Sequence, residues 1–301
     1  MTAGDVVASA RSLAQAACRL VGVPGGVLEP VRVHSNAVFA AVDAGIVVRV
    51  GGGADAVDRA RRAVMVCRWL AQRGFPAVVP AGVEQPVVLV DAGGAEVAVT
   101  FWDWVPAGGG PATGAQLGRL LRGLHELPPP PFDVPVFRPL RRLVAAVRAS
   151  SWLAEDDQGW LLGRAGALQR DLDAAAGSSG AFGLVHGDAQ LGNVIPGMAG
   201  GVLCDWDSVV HGPRVWDLIS GAVESRFGGS PSVLGEVLGA YGGGDLVRSA
   251  VWPVLRDVWE LRSVAAHIRR APDSSPHAAE ARLRIASLRG GDRMARWHAV
   301  G

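Results

Sequence analysis

The chain has 301 residues, of which 49% are apolar and 19% charged, which excludes a disordered chain and leaves room for one large or two modest cores. The net charge is +1, so there is no bulk bias toward nucleic acid or an anionic membrane, and neither is an expected partner.

From the N-terminus, residues 5–20 carry the pattern of a first helix. Asp5 and Arg11 interrupt it and no basic stretch precedes it, so a signal peptide is not expected. β-rich patterning follows at Val31–Val33, Val38–Val42, Ile46–Val50, Val87–Val90 and Val97–Trp102. A single helix interrupts this run, with Asp55 as its N-cap and Val57, Ala60, Val64, Cys67 and Ala71 at helical spacing, until Gly74 and Pro76 stop it. Pro106 to Pro111, rich in glycine, reads as a linker.

Beyond the linker the chain is mostly helical. Thr113 with Gln116 forms a capping-box pattern. Leu117, Leu120, Leu121 and Leu124 make one apolar stripe, ended by Pro128–Pro131. Further helices are expected near 138–149, 157–176, 214–226, 232–241, 245–271 and 276–289, with Pro253 kinking or dividing the longest. No apolar run reaches the roughly 18 residues of a membrane span. Cys18, Cys67 and Cys204 cannot all pair, which fits reduced thiols and a cytoplasmic protein, expected to be a monomer or weak dimer.

Between these helices lies the segment that carries chemistry. His186-Gly187-Asp188 follows the short apolar strand Gly183-Leu184-Val185, and Asn193 comes five positions after Asp188. Val194-Ile195-Pro196 and Val202-Leu203-Cys204 read as two small strands, turning at Gly197–Gly201 and delivering Asp205-Trp206-Asp207. Phosphoryl transfer needs this set: one carboxylate to orient the attacking hydroxyl, and a second carboxylate with an amide oxygen to hold Mg²⁺. A polar turn with incidental acids is the bland alternative, and the spaced Asn and the later D-W-D argue against it.

H-G-D-x-x-x-x-N, then C-D-W-D-S, then Gly212 and Trp216-Asp217-Leu218, resembles the aminoglycoside phosphotransferase and choline-kinase-like family. The resemblance runs from about Val31 to about Arg270 and looks closest to actinobacterial members, through Ser35-Asn36-Ala37-Val38 and the run from Thr113 to Pro131. It implies an α+β, two-lobed, protein-kinase-like fold. Residues 1–105 would form a β-rich, nucleotide-binding lobe, and residues 106–301 a larger helical lobe for catalysis and acceptor binding.

On this reading Asp188 is the catalytic base, Asn193 and Asp205 ligate Mg²⁺, and Asp207 either joins them, directly on a second metal or from behind the ligands, or is a solvent-facing acid after Trp206. Asp217 braces the catalytic loop, as does His186. Lysine is absent, so Arg49 takes the place of the phosphate-pairing lysine, and the following helix has no Glu to hold it; Ala63 stands at the partner position. Ser35 and Asn36 belong to a turn that either covers the phosphates through backbone N–H groups or simply links two strands. Gly51-Gly52-Gly53 lacks the Walker pattern and reads as a flexible turn. Trp102 and Trp104 sit where an interlobe hinge would meet adenine, or else belong to the core. Asp257 and Glu260, three positions apart on one helical face, are candidates for the acceptor together with Trp259 and Arg262 of the same helix, and Glu155-Asp156-Asp157 opens another helix that could also receive it; a solvated helix face is the alternative for these charges.

The expected function is therefore Mg²⁺-dependent transfer from ATP or GTP to a hydroxyl of a small molecule, either an antibiotic-like aminocyclitol or another natural-product or metabolite alcohol. Antibiotic resistance is one role this would serve. Protein acceptors are disfavoured, because no D-F-G or A-P-E activation segment is visible. The alternative is a catalytically degenerate module that binds nucleotide or ligand without turnover.

Overall fold

The computed structural model describes residues 3–33, 36–53, 55–108, 110–175, 182–197, 200–271, 275–298 and 300. It divides into two compact units. The first comprises residues 1–112, 130–133 and 192–209, and the second 113–129, 134–191 and 210–301.

In the first unit, α1 (Ala3–Val21) precedes a five-stranded antiparallel sheet of β1 (Glu29–Val33), β2 (Asn36–Ala41), β3 (Ile46–Gly51), β4 (Val87–Val90) and β5 (Glu96–Asp103). The order is β1-β2-β3-β5-β4, which makes β3 central, paired on both sides. Phe39, Val48, Val50, Val99 and Phe101 pack with Ala14, Ala17 and Cys18 of α1 in one buried cluster. Each large apolar side chain buried this way contributes about 1.5–3 kcal/mol. Helix α2 (Ala56–Gln72) runs between β3 and β4 and packs along β5. Asp55 does occupy its N-cap, but with φ 63° and no side-chain cap hydrogen bond.

The first unit also claims a later segment. β7 (Val194–Gly197) and β8 (Gly200–Leu203) form a hairpin. Leu203 bridges Ala77 in parallel, with Leu203 N–H donating to Pro76 O at 2.9 Å and Val78 N–H to Leu203 O at 3.1 Å. A single division at 105/106 therefore does not describe the compact units: backbone pairing ties the hairpin to residues 76–78.

The second unit holds α3 (Gly114–Glu126), α4 (Arg141–Ala149), α5 (Glu155–Ala175), β6 (Phe182–Val185), β9 (Val210–Pro213), α6 (Ile219–Val223), α7 (Ser232–Tyr241), α8 (Val251–Arg262), α9 (Val264–Arg270) and α10 (Pro276–Arg289). The capping box at Thr113 and Gln116 is present in full. β6 pairs with β9, a strand that sequence patterning missed.

Two expected helices differ. The stretch 214–226 is mostly 3-10 turns around the short α6. The stretch 245–271 is a 3-10 turn at Leu246–Arg248 followed by α8 and α9, which part at Ser263 and not at Pro253. Pro253 lies in the first turn of α8, where its missing N–H breaks no intrahelical bond. At Ser263 the Arg284 guanidinium donates to the backbone oxygen at 3.3 Å and to Oγ at 3.2 Å.

Candidate active site

In the second unit, the loop that carries His186, Gly187 and Asp188 leaves the end of β6. Asp217 is fully buried and accepts three hydrogen bonds: from His186 N–H at 2.7 Å, Gly187 N–H at 2.8 Å and His125 Nε2 at 3.1 Å. His125, from α3, also meets the Tyr241 hydroxyl at 2.9 Å through Nδ1. Trp216 Nε1 donates to Gly187 O at 3.1 Å. Gly187 has φ 83°, a conformation an L side chain rarely adopts, so the turn that aims Asp188 requires it. His186 Nδ1 accepts from Asp188 N–H at 3.3 Å and is fully buried, which suits bracing rather than proton transfer.

The Asp188 side chain is 34% exposed. Its Oδ1 accepts from Arg262 Nη2 at 2.9 Å, and Arg262 Nη1 donates to Gly187 O at 3.2 Å. The Arg262 guanidinium lies over the Trp216 ring at 5.1 Å. Burial lowers the Arg262 pKa, and the Asp188 carboxylate opposes that shift. His125 and Arg262 were not assigned to this loop from sequence. A lone polar residue on the apolar stripe of α3 was the available signal for His125.

In the first unit, the register Val194↔Leu203 sets Asn193 beside Cys204 at the open end of the hairpin, where Cys204 N–H donates to Asn193 O at 2.9 Å. Asp205 follows at φ 65°, a left-handed conformation that Asp tolerates better than most residues. Arg49 reaches the two carboxylates from the middle of β3, between Val38 and Thr100. It is therefore a mid-strand residue. Its Nη1 donates to Asp207 Oδ1 at 2.9 Å, and its Nη2 to Asp207 Oδ2 at 2.5 Å and Asp205 Oδ1 at 3.3 Å. Burial opposes the Arg49 charge, but Asp207 first and then Asp205 outweigh it and raise its pKa. Burial, with the Asp205 charge, pushes the Cys204 thiol up to about 12.

The remaining candidates are placed as follows. Asn36 opens β2 opposite Gly51, and a Cβ at Gly51 would meet Asn36 Oδ1 at 3.0 Å. Ser35 lies outside the described residues. Trp102 is buried and its indole donates to Thr100 Oγ1 at 2.9 Å, whereas Trp104 is 38% exposed. Asp257 accepts from Arg164 at 2.8 Å and Arg293 at 2.7 Å. Glu260 is buried, paired with Arg226 through both oxygens at 3.1 Å and with Arg293 at 2.9 Å. Both carboxylates are thus matched by arginines of their own unit. Among the described residues, no group of three or more His, Cys, Asp or Glu forms a metal cluster, and no helix is long and apolar enough to cross a membrane.

The family model for the phosphotransferase enzyme family, APH, matches residues 27–258. The chain belongs to this phosphotransferase family. No curated protein matches it in sequence. Solved structures match its fold. A microcompartment-associated aminopropanol kinase is 19% identical, with a TM-score of 0.68, covering 92% of this chain and 94% of that one. The amicoumacin kinase hAmiN, solved with AMP-PNP and Ca²⁺, is 13% identical, with a TM-score of 0.67 and 90% of each chain covered. A choline/ethanolamine kinase family protein from Mesorhizobium loti is 19% identical, with a TM-score of 0.62, covering 93% of this chain and 92% of that one. This phosphotransferase thus has the protein-kinase-like fold, with a small antiparallel-sheet unit and a larger helical one.

Proposed function

We propose that this phosphotransferase transfers the γ-phosphoryl group of a nucleoside triphosphate, ATP before GTP, to a hydroxyl of a small natural-product or metabolite alcohol. The observation that carries this is the catalytic loop. Asp217 accepts from the backbone of residues 186 and 187 and from His125, while the Asp188 side chain is partly exposed at the end of β6. A carboxylate held that way can align an attacking hydroxyl and take its proton. The similar kinases are named for small molecules, aminopropanol and amicoumacin among them, which supports an amine-bearing alcohol as acceptor.

The hairpin supplies the donors that Mg²⁺ prefers. Asp205 offers a carboxylate and Asn193 an amide oxygen, both hard oxygens. Bound there, Mg²⁺ would neutralise charge on the nucleotide phosphates. Arg49 provides the positive charge that a lysine provides in other kinases.

Incubating the protein with Mg²⁺-ATP and a panel of amino alcohols and aminocyclitols, and reading products by mass, tests the proposal. An acceptor gaining the mass of one phosphoryl group supports it. Nucleotide binding with no phosphorylated product across a broad panel supports the degenerate module instead. That second reading draws on Arg49 engaging both Asp205 and Asp207.

A further inference from the structure

We infer that Asp207 anchors Arg49 and is not a ligand of the metal. On this view the chain has replaced the lysine–glutamate pair of kinase-like sites with an arginine–aspartate pair drawn from β3 and the turn after β8. The inference rests on the kinase reading above and changes the role of one residue in it.

Three observations carry it. First, the usual components are absent: the sequence contains no lysine, and the acids at the start of α2 are aspartates, with Ala63 buried farther along. Second, the two carboxylates meet Arg49 unequally. Asp207 uses both oxygens in a fork against the two terminal nitrogens, at 2.9 and 2.5 Å, whereas Asp205 offers one oxygen at 3.3 Å. Parallel charge-assisted bonds of this kind fix the plane of the guanidinium as well as its position. A metal that took Asp207 would have to break both. Third, a second cation stands nearby, with Arg59 Nε of α2 4.0 Å from Asp207 Oδ2 and its Nη2 donating to Gly52 O at 3.2 Å. A carboxylate already set between two guanidiniums is a poor place for a divalent cation, which both arginines repel.

Asp205 is in the opposite situation. Its side chain is 33% exposed against 19% for Asp207, and its contact to Arg49 is the longer one. Metal ligation thus falls to Asp205 with Asn193. Asp207 acts through Arg49 as a positioning residue. It also answers how a mid-strand arginine stays aimed without a helix glutamate: the carboxylate comes from the 3-10 turn Trp206–Ser208, which packs against α2.

The test is ATP affinity, measured with Mg²⁺ and with a chelator, for the wild type, Arg49→Met, Asp207→Asn, Asp205→Asn and the double variant Arg49→Met/Asp207→Asn. Asp207→Asn should weaken binding roughly tenfold, as expected for loss of one charge-assisted pair. The ratio of affinities with and without Mg²⁺ should stay at its wild-type value. Removing both partners should cost no more than Arg49→Met alone, because the two act as a unit. The double variant removes both charges of the pair together, so it serves if Asp207→Asn folds poorly.

The assignment is overturned if the double variant or Asp207→Asn loses the Mg²⁺ ratio as Asp205→Asn does, or if the two single effects multiply. A wild-type protein that binds no ATP under either condition overturns the kinase reading itself, and this assignment with it.

Discussion

Arg262 and Asp188 are joined at 2.9 Å by a guanidinium that also holds the Gly187 carbonyl, so one side chain fixes both the carboxylate and the backbone that carries it. The guanidinium lies over Trp216, whose indole donates to that same carbonyl. Arg262→Gln should lower turnover about 10- to 100-fold, the scale of losing one charge-assisted hydrogen bond, with KM for nucleotide little changed. Arg262→Lys should recover only part, because an ammonium cannot span Asp188 and Gly187 together. Steady-state kinetics of the three proteins decide this; unchanged turnover in Arg262→Gln would remove it from the loop's function.

Asp188→Asn keeps the shape of the side chain and removes the proton acceptor. Turnover should fall roughly 10²–10⁴-fold, with nucleotide affinity and melting temperature near wild type. Single-turnover phosphoryl transfer is the direct readout, and activity close to wild type would exclude a base role.

Asn193→Ala and Asp205→Asn should each abolish the extra thermal stabilisation that Mg²⁺ adds to nucleotide. A ligand bound to the folded state raises stability by mass action, so a lost metal site appears as a lost increment. Asn is preferred to Ala at position 205, since φ there is 65°. A full increment in either variant would rule that residue out as a ligand.

α3 and α7 pack closely through a glycine. A Cβ on Gly118 would lie 2.9 Å from Ala240 Cβ and would also collide with the Val237 carbonyl. Gly118→Ala should destabilise by about 1–3 kcal/mol, as overpacking does. Gly163, inside α5, has nothing within 4 Å, so Gly163→Ala should stabilise by about 0.4–1 kcal/mol. Denaturant melts of the two variants should move in opposite directions.

Burial pushes the His267 imidazole down from 6.5 to about 4, helped by Arg284, His277 and Arg270 and opposed by Glu280. His267 Nδ1 lies 3.2 Å from His277 Nδ1, a contact that two protonated rings would not keep. The unfolded chain binds the proton first, so the neutral ring contributes stability present above pH 6.5 and lost as pH falls toward 4. Melting temperature should therefore drop across that window, and His267→Gln should make the drop shallower.

The motif around Asp188 was legible because its spacing is local, and so were the turn glycines of the hairpin and the capping box at Thr113. What escaped depends on partners far along the chain. β9 reads as Val-His-Gly-Pro and becomes a strand only because β6 lies beside it. The hairpin joins the first unit through Leu203 and Ala77, more than a hundred residues apart. The break falls at Ser263, whose carbonyl accepts from Arg284, a partner that no periodicity of the helix itself reveals. Arg49 was visible as a cation out of place, but its carboxylate partner lies 158 positions away.

The left-handed backbone at Asp205 implies that position 205 answers to two filters at once. In a saturation library sorted only for folded protein, glycine and asparagine should refill it alongside aspartate, and valine, isoleucine and threonine should vanish. Sorting the same library for phosphorylated product should discard glycine and asparagine as well. The residues lost between the two sorts would mark what chemistry demands of this position beyond what the chain's geometry permits.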